Sequence, residues 1–337
     1  TFFGLVPGTT KADIIRCLER PDPRPLWVCV WGGPNCLAQA LWRLRETCAP
    51  ETLADRVGRL RVYAIADQDD SGAWIRKTFP ELFYIFSDTP PNRDGYRRAT
   101  WAGISGDRYY GFSGADFSLV NPAWADRHVR QERGPLGALY PKTAYIMEGD
   151  TPSFLGLIPN GLNVPERPDQ GGWGGRYRRL SGGIWGDDAD TVTGLDNQPC
   201  TSAAATVWRW REAYQNDFQA RMEWCVKTPA EANHPPRARV RQGLHVRAAG
   251  GETIRLEVEA EDPDGNDLAY EWFVYPEAGG YRGPPVVVAQ AREPACQVIL
   301  PRLREGAELH LILVVRDRGI PPLHAYQRVI IAVAGEQ

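Results

Sequence analysis

Three apolar runs of strand length, separated by stretches with helical spacing, most constrain the fold of the first part of this chain. The runs cover residues 26–31, 61–66 and 82–86, and their apolar residues occupy consecutive positions. Such runs are typical of parallel strands that are buried on both faces of a sheet. Helices are predicted over 10–19, 37–48 and 73–79. This alternation predicts an α/β domain with a mostly parallel sheet and helices on both faces.

A fourth strand is predicted at residues 144–147, and it runs into a polar loop at 148–153. The loop carries Glu148, Asp150 and Ser153. At the carboxyl end of a strand in an open α/β sheet, such side chains lie where ligands bind. The alternative is a capped loop, in which Asp150 or its neighbour Thr151 satisfies backbone N–H groups.

Further acidic loops follow the predicted strands or lie in irregular segments. Carboxylates that gather at strand ends can bind a hard cation such as Ca²⁺, or can activate a water as general base. The alternative for each loop is a surface or capping role. The candidate metal ligands are Asp67, Asp69 and Asp187, and the turn at residues 32–35 adds Asn35. Residues 156–200 are predicted to be largely irregular, like a lid, and they contain Trp173.

The pattern changes after a linker at residues 232–236. A helix is predicted over 201–225, whereas residues beyond 236 alternate with period 2, most clearly at 253–260. Short strands with turn clusters between them predict a β-sandwich. An aromatic face of Trp272, Tyr275 and Tyr281 would suit sugar binding, but a core position for Trp272 is the favoured interpretation. The acidic turn at 262–267 would suit Ca²⁺ or, alternatively, is a plain inter-strand turn.

The composition of the chain argues against several classes of function. The chain has 337 residues, which is long enough for two domains, and its net charge of −3 without a basic stripe argues against nucleic-acid binding. No apolar run is long enough to span a membrane. Seven Cys without a CxxC pair indicate neither a disulfide framework nor a zinc site. The 12 Trp suit sugar or nucleobase stacking, although most are expected in cores.

Several long motifs resemble a known family, the nucleoside-hydrolase-like proteins described as cellulose-binding. The motifs lie at residues 21–41, 63–76, 134–141, 148–162, 171–177, 208–224 and 231–236. The stretches at 259–281 and 314–331 resemble the carboxyl-terminal immunoglobulin-like domain of that family. The resemblance implies a nucleoside-hydrolase-like domain over 1–232 and an immunoglobulin-like sandwich over 233–337.

The resemblance also implies roles for particular residues. Nucleoside hydrolases are Ca²⁺-dependent enzymes that cleave N-glycosidic bonds with a metal-activated water. Asn35 belongs to a turn that is similar to the glycine-proline-asparagine turn of that fold, and Asp67 lies near a metal-binding strand end. Asp150 falls where a residue contacts the sugar, with Glu148, Ser153 and Trp173 as further expected substrate-binding residues. Ser153 departs from the family's glutamate-phenylalanine-asparagine motif, because neither the Glu nor the Asn is reproduced.

The first ten residues lack the family's Asp-rich strand, which carries its main metal ligands and its base. The catalytic residues are therefore unassigned, and this chain as written is expected to be inactive on nucleosides. The expected function is that of an N-glycosyl hydrolase by resemblance, with a small nucleoside or sugar, or cellulose, as ligand. The alternative is a non-catalytic carbohydrate-binding protein. No signal peptide is visible, but residue 1 resembles an interior position, and an extracellular or periplasmic location is expected.

Overall fold

The structure is a computed structural model that describes residues 10–90, 93–106, 115–144, 147–279, 281, 283–302 and 306–334, with backbone alone for 2–4 and 93. Its contacts divide the chain into two compact units. The first consists of Thr1–Ala115, Glu148–Gly156 and Gly174–Arg209, and the second of Asp116–Met147, Leu157–Trp173 and Trp210–Gln337. Both units are built from discontinuous segments. The predicted domain boundary between residues 232 and 233 stays a prediction.

A six-stranded sheet organises the first unit. Its strands are β1 (Phe2–Gly4), β2 (Leu26–Val30), β3 (Leu60–Ala64), β4 (Phe83–Phe86), β5 (Tyr177–Ser181) and β6 (Ile184–Asp187). Their order is β1-β2-β3-β4-β6-β5, and every neighbouring pair is parallel except β5 with β6. The predicted mostly parallel sheet is therefore confirmed, with one antiparallel strand at its edge. A separate hairpin joins β7 (Asp190–Thr193) to β8 (Pro199–Ser202).

The helices of the first unit alternate with its strands along the chain. They are α1 (Lys11–Glu19), α2 (Asn35–Thr47), α3 (Pro50–Arg59), α4 (Ser71–Thr78) and α5 (Arg93–Arg98), with a 3₁₀ helix at Thr100–Ile104. Thr10 begins α1 as predicted, because its backbone N–H donates to Asp13 Oδ2 at 2.9 Å in a capping box. Apolar residues of α1, α2 and α4 pack with Val28, Val62 and Tyr84 into one buried cluster on one face of the sheet.

The opposite face of the sheet carries Cys29, Tyr63, Ile85 and Trp185, which are neighbours in register across β2, β3, β4 and β6. All four side chains are buried. The thiol of Cys29 donates a 3.4 Å hydrogen bond to the carbonyl oxygen of Ser153. This contact places the loop at 148–156 against this second face of the sheet.

Two predictions for this region, the fourth strand and the irregular segment, differ in outcome. The strand predicted at 144–147 has its centre, residues 145 and 146, outside the described residues, while Ala144 and Met147 are not in strands. The largely irregular cover predicted at 156–200 is wrong in part, because β6 from that segment pairs with β4. The pairing between these strands consists of Tyr84 with Ile184 and Ile85 with Trp185. Because β6 is this short, its sequence shows no periodic pattern that would predict a strand.

The second unit contains the remaining helices and the β-rich segment. Its helices are α6 (Pro122–Ala125), α7 (Gly134–Leu139), α10 (Arg211–Trp224) and α11 (Pro276–Gly279), while α8 (Pro152–Leu155) and α9 (Ala205–Trp208) belong to the first unit. A π-helical turn covers Asp126–Arg130, and a 3₁₀ turn covers Pro168–Gln170. The single helix predicted over 201–225 is wrong, because Trp210 leaves helical geometry at φ −103° and ψ 10° and separates α9 from α10.

Two four-stranded sheets share one core near the carboxyl terminus. One has the order β10 (His245–Ala249), β16 (His324–Ala334), β15 (Glu308–Asp317), β12 (Leu268–Val274), and the other β13 (Val287–Ala289), β14 (Ala295–Ile299), β11 (Thr253–Glu261), β9 (Arg237–Val240). Residues of both sheets form a single buried cluster that includes Trp272. The predicted β-sandwich and the core position of Trp272 are thus confirmed, and the immunoglobulin-like assignment stays a prediction.

Candidate functional site

The carboxyl edge of the six-stranded sheet brings together most of the residues predicted for a site. Asn35 and Asp67 follow β2 and β3, Asp187 ends β6, and the loop at 148–156 packs beside Cys29 on β2. This is the edge at which open α/β sheets bind their ligands. Trp173 belongs to the second unit and is described separately.

Asp67 is committed to an ion pair with a residue that the sequence analysis missed. The guanidinium of Arg76, on α4, donates to Asp67 Oδ1 at 2.8 Å and to Oδ2 at 2.5 Å. Burial alone would lower the pKa of Arg76, but the hydrogen bonds and negative charge of Asp67 raise it. A bidentate pair of this kind is among the strongest polar contacts in proteins, so it fixes the loop after β3 to α4.

Asp69 is used locally, at the start of α4 and beside α2. Its Oδ1 accepts the backbone N–H of Ser71 at 2.8 Å, and its Oδ2 accepts a long 3.5 Å hydrogen bond from Asn35 Nδ2. The carboxylate lies so close to Gly33 that an added Cβ there would be 2.0 Å from Oδ2. Asn35 and Asp69 are therefore in contact, and Asp69 also satisfies the backbone N–H of the first residue of α4.

Asp187 is almost fully enclosed at the end of β6. Its Oδ2 accepts a 2.6 Å hydrogen bond from Ser87 Oγ, and its Oδ1 accepts one from the backbone N–H of Thr100 at 3.4 Å. Burial raises the pKa of Asp187 to about 6, although these hydrogen bonds oppose the shift. The carboxyl therefore changes protonation state near neutral pH.

A buried pair of tyrosines, Tyr63 and Tyr177, interacts with the acidic groups of this edge. The hydroxyls of Tyr63 and Tyr177 hydrogen bond, and the Tyr177 hydroxyl also donates to Gly174 O at 2.8 Å. Burial raises the pKa of Tyr63 well above its ordinary value, and the charges of Asp187 and Asp150 act in the same direction. Both carboxyls are thus near enough to Tyr63 to interact with it electrostatically.

The loop at 148–156 holds its polar groups in a turn that is strained at one residue. Glu148 has φ +56°, in the left-handed region, and the hydroxyl of Thr151 donates to its carboxylate. The backbone N–H of Ser153 donates to Asp150 O at 3.2 Å. Burial, and next the charge of Glu148, raise the pKa of Asp150 to about 6. Within the described part of the chain the Asp150 carboxyl has no hydrogen-bond partner.

Ser153 connects this loop to the end of β2. Its Oγ accepts a hydrogen bond of 2.9 Å from Trp31 Nε1, and its carbonyl accepts the Cys29 thiol. Ser153 is buried, whereas the Trp31 side chain is 38% exposed. Ser153 was predicted from the sequence and Trp31 was not, although Trp31 directly follows a buried strand and precedes a glycine pair.

Trp173 occupies a core position in the second unit. It is 2% exposed, its Nε1 lies 3.3 Å from the hydroxyl of Tyr326, and its ring contacts Tyr326 and Tyr214 edge to face. Its backbone N–H donates to Asn163 Oδ1 at 2.9 Å. The arrangement accounts for Trp173 as a packing residue, and its predicted ligand role stays a prediction.

The three predicted metal ligands do not fit a calcium site in this arrangement. Calcium takes six to eight oxygen ligands, so several carboxylates must converge on one point. Asp67 is paired with Arg76, Asp69 caps α4, and Asp187 is buried among its own donors. No group of three or more His, Cys, Asp or Glu could hold a metal ion among the described residues. Calcium binding stays a prediction.

Comparisons with known proteins agree with the architecture. Residues 7–177 match the family described as cellulose-binding Sde182, nucleoside hydrolase-like domain, and residues 253–333 match the cellulose-binding protein Sde0182, C-terminal domain. No curated protein matches the chain. No described helix has the length and apolar character needed to cross a membrane.

One solved structure matches nearly the whole chain. It is a nucleoside hydrolase-related hypothetical protein from Saccharophagus degradans that is associated with carbohydrate metabolism. The two sequences are 32% identical, and the TM-score is 0.74. The match covers 96% of this chain and 74% of the other chain. A PKD domain of the KIAA 1837 protein has 17% identity and a TM-score of 0.21, over 28% of this chain and 80% of that one. The second likeness is too weak to carry an argument.

Proposed function

Because the chain belongs to the cellulose-binding Sde182 family with its nucleoside-hydrolase-like domain, we propose that it binds a carbohydrate without hydrolysing it. The carboxyl edge of the six-stranded sheet is the proposed site. The polysaccharide named in the family description, cellulose, sets the ligand class as a glucan.

The observation that carries this proposal is the state of the acidic side chains at the edge. Asp67 is neutralised by Arg76, and Asp187 is enclosed by Ser87 and Thr100, so neither presents a free carboxylate to a metal ion or a water. Metal-assisted hydrolysis needs an ion that binds and activates a water. Sugar binding needs only hydrogen-bonding groups at the edge of a pocket, together with apolar contact.

Asp150 is the group proposed to bind a sugar hydroxyl. Its carboxyl has no hydrogen-bond partner among the residues described, and it is only partly buried. As a carboxylate it accepts hydrogen bonds from hydroxyls, and hydrogen bonds to charged groups are stronger than neutral ones. Since its pKa is raised to about 6, this form predominates above that pH.

Calorimetric titration of the full chain with cellohexaose tests the proposal. Saturable binding is expected, and Asp150→Asn is expected to weaken it by roughly tenfold, because a hydrogen bond to a charged acceptor becomes a neutral one. Asp55→Asn, at an exposed carboxyl of α3, is the matched control and should bind like the wild type. If no glucan binds, in solution or as insoluble cellulose in a pull-down, the proposal is wrong.

A second candidate function is hydrolysis of an N-glycosidic bond, which one observation favours. A carboxyl with its pKa near 6 is suited to general acid–base chemistry, and Asp150 beside Glu148 meets that description. Incubation with inosine and uridine, followed by an assay for free ribose, decides between the two. Ribose release that disappears in Asp150→Asn would replace the binding proposal with the hydrolase.

We also propose an extracellular or periplasmic location, since an insoluble glucan does not enter cells. Fractionation of producing cells with an antibody against the chain is the test. Recovery of the protein in the cytoplasmic fraction alone would contradict this location.

A further inference from the structure

Two of the 12 tryptophans expose more than a third of their surface. They are Trp31, at 38%, and Trp42, at 48%, and the structure describes all 12. Trp42 lies on α2, whereas Trp31 lies one residue beyond β2, at the edge proposed for ligand binding. An indole is a large apolar surface, and leaving it in water is unfavourable unless something covers it.

Trp31 is held in place by its polar end. Its Nε1 donates to Ser153 Oγ at 2.9 Å, and Ser153 is itself buried and fixed to β2 by the thiol of Cys29. An exposed side chain normally keeps its rotamer freedom, which a ligand must then remove at a cost in affinity. Because Ser153 already satisfies and orients the indole N–H, the exposed part of the ring is apolar and pre-organised.

Polar residues are close to Trp31 along the chain and through Ser153. The backbone N–H of Ser153 donates to Asp150 O, so the residue that fixes the indole shares one turn with Asp150, whose carboxyl has no hydrogen-bond partner among the described residues. Asn35 begins α2, four residues after Trp31. An apolar plate with hydrogen-bonding groups at its margin complements a ligand that is apolar on its face and hydroxylated around its rim.

A pyranose ring with equatorial hydroxyls has this distribution, since its C–H bonds point to the two faces. We propose that Trp31 is the stacking platform of a subsite for one glucose unit of a β-glucan, and that Ser153 is the positioning residue that orients it. This inference rests on the proposed function and adds the residue and the sugar face that it recognises. Nothing in the subsite requires a metal ion.

Oxidation of the wild-type protein by N-bromosuccinimide, followed by mass spectrometry, tests the platform without any mutation. Both Trp31 and Trp42 should be modified in the free protein, because both indoles are exposed. Cellohexaose should protect Trp31 and leave the oxidation of Trp42 unchanged. If the sugar binds in calorimetry but Trp31 is oxidised at the same rate, the platform is wrong while the proposed function stands.

Variants give an independent measure. Trp31→Ala should raise the Kd for cellohexaose by about tenfold, Trp31→Phe should recover most of that loss, and Trp42→Ala should have no effect. Ser153→Ala should weaken binding, and Ser153→Thr, which retains the accepting oxygen, should restore it. Equal Kd values for wild type and Trp31→Ala would overturn the inference. Failure of the wild type to bind any glucan would instead remove the proposed function and this subsite with it.

Discussion

Arg76 and Asp67 form a two-point ion pair at the carboxyl edge of the sheet, and the guanidinium lies 3.8 Å from the ring centre of Phe86. The pair joins the end of β3 to α4 and supplies a positive charge from the chain itself. An arginine that is paired in this way and placed over an aromatic ring has little freedom to leave. Arg76 therefore stays paired with Asp67 at this edge of the sheet.

Replacing this arginine should destabilise the protein. Arg76→Met retains most of the apolar stem but leaves the Asp67 carboxylate unpaired, with exposures of 14% for Arg76 and 29% for Asp67 in the wild type. We expect the free energy of unfolding in urea to fall by about 2 kcal/mol. Arg16→Gln, which breaks an exposed pair with Asp13, is the control and should change it much less, because solvent screens exposed pairs. Equal effects of the two variants would contradict a special role for Arg76.

Added calcium should not act through Asp67. Because both of its carboxylate oxygens are taken by Arg76, a cation would have to displace the guanidinium before it could bind. We expect sugar binding to be the same in the presence of Ca²⁺ and of a chelator. Calorimetry with CaCl₂ alone gives the complementary measurement. A saturable calcium signal that Asp67→Asn abolishes would show that the ion pair yields to the metal.

The stability of the protein should depend on pH through Asp150. Its pKa is raised from 3.8 to about 6, so between these values the unfolded chain has released the proton while the folded chain keeps it. Stability therefore falls, on account of this group, as pH rises from about 4 to about 6, and it stays lower above that range. Asp150→Asn should be more stable than the wild type by about 2 kcal/mol near pH 7.5, with little difference near pH 3.5.

Asp22, in the same unit, provides a control because its pKa is shifted in the opposite direction to that of Asp150. Asp22 is partly exposed, and its hydrogen bonds from Arg24 lower its pKa. Its contribution to stability is present above the unfolded pKa and is lost as pH falls, so Asp22→Asn should be less stable than the wild type at neutral pH. Urea unfolding of all three proteins across this pH range is the measurement. A pH-independent gain in Asp150→Asn would point to a cause other than titration.

The buried tyrosine pair predicts an asymmetry between two conservative variants. The hydroxyl of Tyr177 donates to Gly174 O and therefore accepts the hydrogen of Tyr63. Tyr177→Phe leaves two buried polar groups without partners and should cost about 2 kcal/mol of unfolding free energy, whereas Tyr63→Phe should cost about 1 kcal/mol. Urea unfolding of both single variants and the double variant gives the coupling between them. A larger loss in Tyr63→Phe would reverse the assigned direction of the hydrogen bond.

The central strands could be predicted from the sequence, because their signal is local. β2 and β4 are continuous apolar runs, and β3 is interrupted only by Arg61, so their mostly buried side chains show no regular polar alternation. The helix α3 was missed although its signal is also local: Leu53 and Val57, one helical turn apart, pack partly buried against the core cluster, and proline stands at its first position.

The burial and hydrogen-bond partners of the site residues could not be predicted in the same way, because those partners are distant in sequence. Asp187 receives its hydrogen bonds from Ser87 and Thr100, which lie 100 and 87 residues away. Trp31 is oriented by Ser153, 122 residues away. A sequence pattern indicates which residue types follow a strand, but burial and pairing follow only from which strands and loops become neighbours.

The outermost strand, β5, has a consequence for how the protein behaves in concentrated solution. An unpaired strand edge is a template for the strand of another molecule, and such pairing leads to aggregation. After Tyr177, β5 is exposed, carries Arg178 and Arg179, and is interrupted by an irregularity between Arg179 and Ser181. Charge and broken register both oppose docking of a second chain. Replacing both arginines with valine is expected to increase light scattering on storage, and unchanged scattering would contradict a protective role for this edge.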